Sequence, residues 1–141
     1  MDNKIDCEIR RLLDKISSKM RRDYSESLRE LNLYVGQDNL LCRLWSDDGI
    51  TQMQLREHLK CEPPTVTNMV KSLEQNGFIH RKKDPEDARA MRIYLTDKGK
   101  AIEESVNFKW QQQQNKLLDS ISTEERLVLK DLMLRMEKNL Q

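Results

Sequence analysis

The chain has 141 residues and a net charge of only +1, with 35% charged and 5% aromatic residues. This length suits one domain with helical extensions, and the small aromatic content predicts that the longer helices bury apolar faces against a second chain. No apolar run reaches the length of a membrane span and the first seven residues lack the apolar core of a signal peptide, so a cytoplasmic location is expected.

The first two elements are predicted to be helices separated by a short break. The first runs from about Asp2 to Leu31, because apolar residues recur there at steps of three and four. Its stripe consists of Ile5, Ile9, Leu12, Leu13, Ile16 and Met20 and continues through Tyr24, Leu28 and Leu31. An Asn and a Gly within 32–36 mark the break, and the second helix covers about 37–46.

Two short helices are predicted next, between Thr51 and Gly77. Thr51 and Gln54 have the spacing of a capping box, which starts the third helix. Its inward residues are expected to be Met53, Leu55 and Leu59. The pair Pro63-Pro64 opens the fourth helix and Gly77 ends it. The fourth helix is expected to bury Val66, Val70 and Leu73 and to leave an outer side of Thr65, Thr67, Asn68, Lys71 and Gln75.

The rest of the chain is predicted to form a β-hairpin and two helices. Phe78–Lys83 and Met91–Leu95 are the predicted strands. Thr96 or Asp97 is expected to cap a fifth helix that ends near Ser120. A second capping box, from Ser122 to Glu125, starts a last helix with the stripe Leu129, Leu132, Met133, Met136 and Leu140. The expected fold class is mainly α with a small β-hairpin (α+β).

The order helix, turn, helix, strand, loop, strand between residues 51 and 95 is typical of a DNA-binding unit. Such a unit fits one helix into the major groove and offers a basic loop to the neighbouring minor groove. The charge distribution agrees with this. Residues 51–100 contain ten Lys or Arg and seven Asp or Glu, a net charge of +3, so the net charge of the rest of the chain is −2. A phosphate-contacting surface needs this concentration of positive charge.

The same segment resembles the MarR family of bacterial winged-helix transcriptional regulators. Each matching motif is weak alone, but their order and spacing over about fifty residues are specific. The long helices at both ends also match the family's plan, so the resemblance covers nearly the whole chain. The motifs are Pro64-Thr-Val-Thr67, Leu73-Glu-Gln-Asn-Gly77, Asp84-Pro-Glu-Asp-Ala-Arg89 and Leu95-Thr-Asp-Lys-Gly99.

The resemblance implies a homodimer whose chain has three parts. Residues 1–35 would form an N-terminal dimerisation helix, 36–98 a winged helix-turn-helix DNA-binding domain, and 99–141 the C-terminal dimerisation helices. Each subunit would place recognition helix 63–76 and wing 84–91 on half of a palindromic operator in double-stranded DNA. The expected function is that of a transcriptional repressor released by a small-molecule effector, without a cofactor.

The outer side of the recognition helix carries the residues expected to read DNA. The hydroxyls of Thr65 and Thr67 can bond to phosphates or base edges. Asn68 can pair with adenine, and Lys71 can reach guanine or phosphate. Pro64, at the start of the helix, is grouped with them. Family members often carry Arg where Asn68 stands, which leaves the base preference open.

The hairpin carries the residues expected to contact the minor groove and the phosphates. Arg89 would enter the minor groove, and Asp87 would hold its side chain and the loop. For both the helix and the hairpin, the alternative is an ordinary solvated surface with weak ion pairs. Phosphate contacts are expected from Arg81, Lys82, Lys83 and Arg92.

The three cysteines are odd in number and widely spaced, so no disulfide framework is expected. His58 and Cys61 are too few ligands for zinc, and no metal site is expected. Cys42 is expected to be buried among leucines. Cys7 is the candidate redox residue, because the organic-hydroperoxide regulators among MarR relatives carry a sensing cysteine in the first helix, about a turn later than Cys7.

Two other functions stay open. A thiol-based redox-sensing regulator of the same fold would use Cys7, whereas a winged-helix protein-interaction module would use a surface away from the wing. An enzyme is not expected, because the sequence shows no nucleophile with base and acid partners, no metal cluster and no phosphate-cradling glycine loop.

Overall fold

The computed structural model describes residues 3–141, in which helices dominate. The helices are α1 (Asn3–Arg29), α2 (Gln37–Ser46), α3 (Gln52–Leu59), α4 (Pro63–Gln75), α5 (Asp97–Ala101), α6 (Glu103–Leu117) and α7 (Thr123–Asn139). The strands are β1 (Ile50–Thr51), β2 (Ile79–Lys83) and β3 (Met91–Leu95). The chain forms two compact units that divide between Lys109 and Trp110. None of the described helices is long and apolar enough to cross a membrane.

Local sequence signals account for most helix boundaries. Both predicted capping boxes are present, at Thr51 with Gln54 for α3 and at Ser122 with Glu125 for α7. Helix α2 has the predicted bounds. Helix α4 starts with its two prolines and ends before Gly77, whose φ of 81° is one that glycine adopts without strain.

The β-sheet has three strands rather than the two of the predicted hairpin. β2 and β3 are antiparallel, and β1 pairs with the other edge of β3, so the strand order is β1-β3-β2. Ile50 lies opposite Ile93, and the N–H of Gly49 donates to the Ile93 carbonyl at 3.0 Å. The prediction missed β1 because two residues show no alternation of their own.

The core of the first unit consists mainly of leucine, valine and isoleucine side chains. On α4, Val66, Val70 and Leu73 are buried as predicted. On α3, Leu55 is buried, but the prediction for Met53 was wrong because its side chain is 63% exposed. Residues two positions apart in an α-helix are separated by about 200° around its axis. Met53 and Leu55 therefore cannot share one inward face.

Exposed apolar stripes run along α1 and α7. Helix α1 ends at Arg29, short of the predicted Leu31, and its predicted start at Asp2 lies outside the described residues. Only Leu28 of α1 is buried, and α7 has no buried residue. The exposed side chains include Ile5, Ile9, Leu12, Leu13 and Ile16 on α1, and Leu129, Leu132, Met133, Met136 and Leu140 on α7.

The predicted fifth helix is two helices, α5 and α6, separated at Ile102. Thr96 caps α5 as predicted, because its hydroxyl oxygen accepts the Gly99 N–H at 3.1 Å. In an unbroken helix the Gly99 carbonyl would accept the N–H of Glu103. Here the indole N–H of Trp45 donates to that carbonyl at 2.9 Å. The competing donor lies 54 positions away in the sequence, so no local pattern could predict the break.

Gly99 lets α5 pack directly against the segment that joins α4 to β2. A methyl group at Gly99 would overlap the carbonyl oxygen of Phe78 and lie 3.2 Å from the Leu95 side chain. Phe78 is fully buried, and its carbonyl also accepts the Thr96 N–H at 3.0 Å. This position therefore requires glycine for space rather than for an unusual backbone conformation.

Gly99→Ala is expected to destabilise the fold by about 3 kcal/mol, because the added methyl group overlaps a backbone atom that is itself hydrogen-bonded. Chemical denaturation at fixed protein concentration measures the loss. Lys100→Ala, at the exposed neighbouring position, is the matched control and should change stability by no more than about 0.5 kcal/mol. Equal stabilities of the two variants would contradict this packing role.

Candidate nucleic-acid interface

Helix α4 has a polar side that faces solvent, opposite its buried side. Thr67 is half-buried on the border between the two sides. Glu62 is the N-cap residue and its side chain makes no capping bond, so a carboxylate lies at the positive end of the helix dipole. Four of the predicted DNA contacts are exposed on this helix: Pro64, Thr65, Asn68 and Lys71.

A cleft of about 610 Å³ lies between α4 and the wing, which the structure bounds as the loop of residues 84–90 between β2 and β3 instead of the predicted 84–91. Val66 and Thr67 of α4 line one side, and Asp87 and Arg89 of the wing line the other. The structure thus brings predicted contacts from both elements to a single opening. Helix α3 completes the lining with Gln52, Met53 and Arg56.

The contribution of α3 to this cleft was not predicted from the sequence. The error on Met53 assigned to the core a side chain that lines the cleft instead. Gln52 and Arg56 are four residues apart and therefore share a face of α3. That spacing, next to a helix start fixed by the Thr51 capping box, is the signal that could have found them.

The wing is held by hydrogen bonds to its own backbone. Asp87 accepts the N–H of Arg89 through Oδ1 at 3.0 Å, and its carbonyl accepts the N–H of Ala90 at 3.0 Å. Asp87 therefore holds the loop through backbone bonds, but the predicted hold on the Arg89 side chain is not seen among residues 3–141. No salt bridge joins Asp87 to the Arg89 guanidinium within residues 3–141. The exposed Arg89 side chain is left without an ion-pair partner there.

Arg92 ties the base of the wing to the turn before β1. Its Nε donates to Oδ2 of Asp84 at 3.1 Å, and Nη1 donates to the carbonyl of Gly49 at 2.7 Å. The N–H of Glu86, together with Arg92, holds the pKa of Asp84 below its ordinary value. The structure gives this predicted phosphate contact a structural role, with much of its charge already compensated.

Arg81 links β2 to the last turn of α4. Its Nη2 and Nε donate to the two carboxylate oxygens of Glu74 at 3.0 and 3.3 Å. The hydrogen bonds from Arg81 lower the pKa of Glu74 below its ordinary value of 4.5. The pair fixes α4 against the first strand of the hairpin, so Arg81 also has a structural partner.

The other predicted cations keep their charges available. Lys82 lies 5.6 Å from the centre of the Tyr94 ring, which stacks on His80 with ring centres 5.6 Å apart. Lys82 and Lys83 are exposed on β2. Within the described chain no salt bridge involves Lys71, Lys82, Lys83 or Arg89.

The cysteines lie apart from one another and form no metal site. Cys7, Cys42 and Cys61 are free and half-buried, so the expectation that Cys42 would be fully buried was wrong. Burial, with the charges of Asp38 and Glu103, raises the pKa of the Cys42 thiol, which makes it a poor nucleophile. No group of three or more His, Cys, Asp or Glu that could hold a metal ion occurs in residues 3–141.

Comparisons with known proteins agree with this architecture. The MarR family model matches residues 33–91. The chain is 35% identical over 95 residues to the organic hydroperoxide resistance transcriptional regulator of Bacillus subtilis (strain 168). That match covers 67% of this chain and 65% of the relative, so the chain spans less than two thirds of that protein's length.

Two further comparisons extend over more of the chain. The HTH-type transcriptional regulator PecS of Dickeya dadantii (strain 3937) is 32% identical over 132 residues, which are 94% of this chain and 75% of PecS. The crystal structure of the S. aureus MepR–DNA complex superposes with a TM-score of 0.79 at 27% identity. The superposition covers 91% of this chain and 95% of the MepR chain.

Glu74→Gln is expected to lower stability at pH 7 by at most about 1 kcal/mol, because the ion pair with Arg81 is partly exposed. The folded chain depresses the pKa of Glu74, so the carboxylate stabilises the fold above pH 4.5 and loses that effect as the pH falls below it. Denaturation at pH 7 and at about pH 3 should therefore show a larger difference from the parent chain at pH 7.

The matched control is Glu57→Gln, the same change at an exposed position of α3 without a salt bridge in the described chain. It should alter stability little at either pH. A constant difference between Glu74→Gln and the parent chain at both pH values would show that the carboxylate charge is not what matters.

Proposed function

The chain belongs to the MarR family, and on this premise we propose that it is a dimeric, sequence-specific DNA-binding transcriptional repressor. The observation that supports this most directly is the cleft shared by α4 and the wing, with Thr67 and Arg89 on its two sides. One subunit thereby offers a helix to the major groove and a cationic loop to the neighbouring minor groove. MepR, which has a similar fold, was crystallised with DNA.

The exposed side of α4 would supply the major-groove contacts. Asn68 is exposed there, and an Asn carboxamide pairs with the N6 and N7 atoms of adenine. Lys71, one turn away from Asn68, would contact guanine or a phosphate. Pro64 and Thr65, at the start of α4, would lie against the sugar-phosphate backbone of the DNA. Glu62, at the N-terminus of α4, would repel phosphate and so lower the affinity.

Arg89 would enter the minor groove, where a narrow groove concentrates negative potential. Its backbone is held by Asp87 at 3.0 Å, while its guanidinium has no salt bridge within residues 3–141. The side chain is therefore presented from an ordered loop without a competing carboxylate partner. Lys82 and Lys83 would contact phosphates, whereas Arg81 and Arg92 would mainly keep the hairpin in place.

A homodimer would cover the apolar stripes of α1 and α7. At least five large apolar side chains on each helix are exposed in the single chain, and exposed apolar surface of this kind marks an interface. Two subunits related by a twofold axis would bind two half-sites separated by about one helical turn of DNA, about 34 Å, as in a palindromic operator.

Release from DNA would follow from binding of a small-molecule effector that changes the distance between the two recognition helices. The alternative is release by thiol oxidation, and the similarity to an organic hydroperoxide resistance regulator favours testing it. Cys7 is the candidate thiol, free and half-buried on α1. Hydroperoxide should then abolish DNA binding by the parent chain. The Cys7→Ser variant should still bind DNA in the presence of hydroperoxide.

The direct test is a gel shift across a salt series with the DNA just upstream of the protein's own coding region. Tight binding that weakens steeply with salt supports the proposal. If that region is not bound, selection from random sequences finds the preferred site. Failure of both experiments would reject DNA binding and favour a protein-interaction module.

Arg89→Ala and Asn68→Ala are expected to separate affinity from base preference. Arg89→Ala should weaken binding to all sequences by about tenfold and reduce the salt slope by about one for each subunit. Asn68→Ala should leave the salt slope unchanged and relax the base preference at one position of each half-site. Unchanged operator binding by both variants would show that this surface does not contact DNA.

Leu12→Glu is expected to break the homodimer, because it places an unpaired carboxylate in the apolar stripe of α1. The dissociation constant of the dimer, measured by analytical ultracentrifugation, should rise at least about a hundredfold. Ser18→Glu places the same group on the opposite side of α1 and should leave the dimer intact. Dimers of equal strength in both variants would exclude α1 from the interface.

A further inference from the structure

Gln52, the first residue of α3, contacts the recognition helix inside the cleft. Its Nε2 lies 3.5 Å from Oγ1 of Thr67, and both residues line the cleft together with Arg89. A separation of 3.5 Å is longer than an ordinary hydrogen bond, so the carboxamide is steered toward α4 without being fixed there.

Thr67 has already used its only donor. Its hydroxyl donates to the carbonyl of Pro63 one turn earlier at 3.0 Å. A hydroxyl carries a single hydrogen, so the Thr67 oxygen can only accept further bonds. Thr67 therefore cannot donate to a base or a phosphate unless it gives up the bond to Pro63. The donor that the structure places beside it is the amide of Gln52.

The backbone of Gln52 is firmly placed, although its carboxamide is not. Thr51 forms the capping box with Gln54, through bonds of 2.9 and 3.1 Å, and pairs with Arg92 in the sheet. Gln52 follows directly, so its Cα is held by both α3 and β1. In the part of the chain that the structure describes, Oε1 of Gln52 accepts no hydrogen bond.

A Gln carboxamide in this position has the donor and acceptor that adenine requires. One amide N–H donates to N7 and the oxygen accepts from the N6 amino group. We infer that Gln52 is a specificity-determining residue that reads a base next to the bases read by α4, and that Thr67 is a positioning residue that steers its amide. The inference rests on the DNA-binding function proposed above.

The test measures base preference rather than affinity alone. The parent chain is first used to select its preferred site from random sequences. Binding of each variant is then measured to that site and to a set of single-base-pair changes through it, at three salt concentrations. Gln52→Ala should lose about tenfold to a hundredfold of discrimination at one position of each half-site, with an unchanged salt slope.

Further variants assign the roles of the two residues. Gln52→Glu should shift the preference at that same position toward cytosine, whose N4 amino group donates to a carboxylate. Thr67→Val should weaken discrimination at the same position, and Thr67→Ser should preserve it. The double variant Gln52→Ala/Thr67→Val should lose no more than Gln52→Ala alone. Gln112→Ala, an exposed Gln on α6, is the matched control.

Three outcomes would overturn the inference while leaving the DNA-binding proposal intact. Gln52→Ala could keep the parent's preference at every position. It could weaken binding to all sequences equally without changing the base preference, which is the behaviour of an uncharged phosphate contact. Thr67→Val could alter a different position from Gln52→Ala, so that Thr67 reads its own base. If the parent chain selects no DNA sequence, the proposed function itself fails.

Discussion

Three consecutive carbonyl groups in the segment between α4 and β2 all accept hydrogen bonds from Thr96 and Lys98 at the start of α5. Lys98 donates to Asn76 at 2.7 Å, and Thr96 donates to Gly77 through its hydroxyl at 2.5 Å and to Phe78 through its N–H at 3.0 Å. These bonds attach the turn that follows α4 to the start of α5. The orientation of the recognition helix therefore depends on α5, which Trp45 in turn connects to α2.

Some cationic side chains of the hairpin support its structure, and others remain available to contact a ligand. Arg81 and Arg92 have carboxylate partners that join the sheet to α4 and to the wing. Arg89 and Lys83 have no such partner in the described chain and stand on parts of the hairpin that these pairs hold in place. A rigid base reduces the ordering cost of binding, because less conformational freedom remains to be lost when a ligand arrives.

The sequence predicted the features that depend on neighbouring residues. Both capping boxes, the proline start of α4 and its glycine end are local signals, and the helices begin and end where those signals stand. Features set by distant contacts were missed. The strand β1 exists through its pairing with β3, and the break after α5 coincides with a bond from Trp45. Among the residues that line the cleft, those of α4 and the wing carry family motifs and were singled out from the sequence, whereas Gln52 and Arg56 of α3 carry none and were missed.

The strand order β1-β3-β2 leaves the outer edge of β2 without a strand partner among residues 3–141. Such an edge exposes N–H and C=O groups with which a strand of another molecule can pair, the first step toward aggregation. β2 has only five residues, and Arg81, Lys82 and Lys83 are three of them. Repulsion between Lys82 and Lys83 of one copy and those of another opposes edge-to-edge association. The lysines of this strand therefore oppose pairing of two copies through this edge, and loss of their positive charge would leave an adhesive edge.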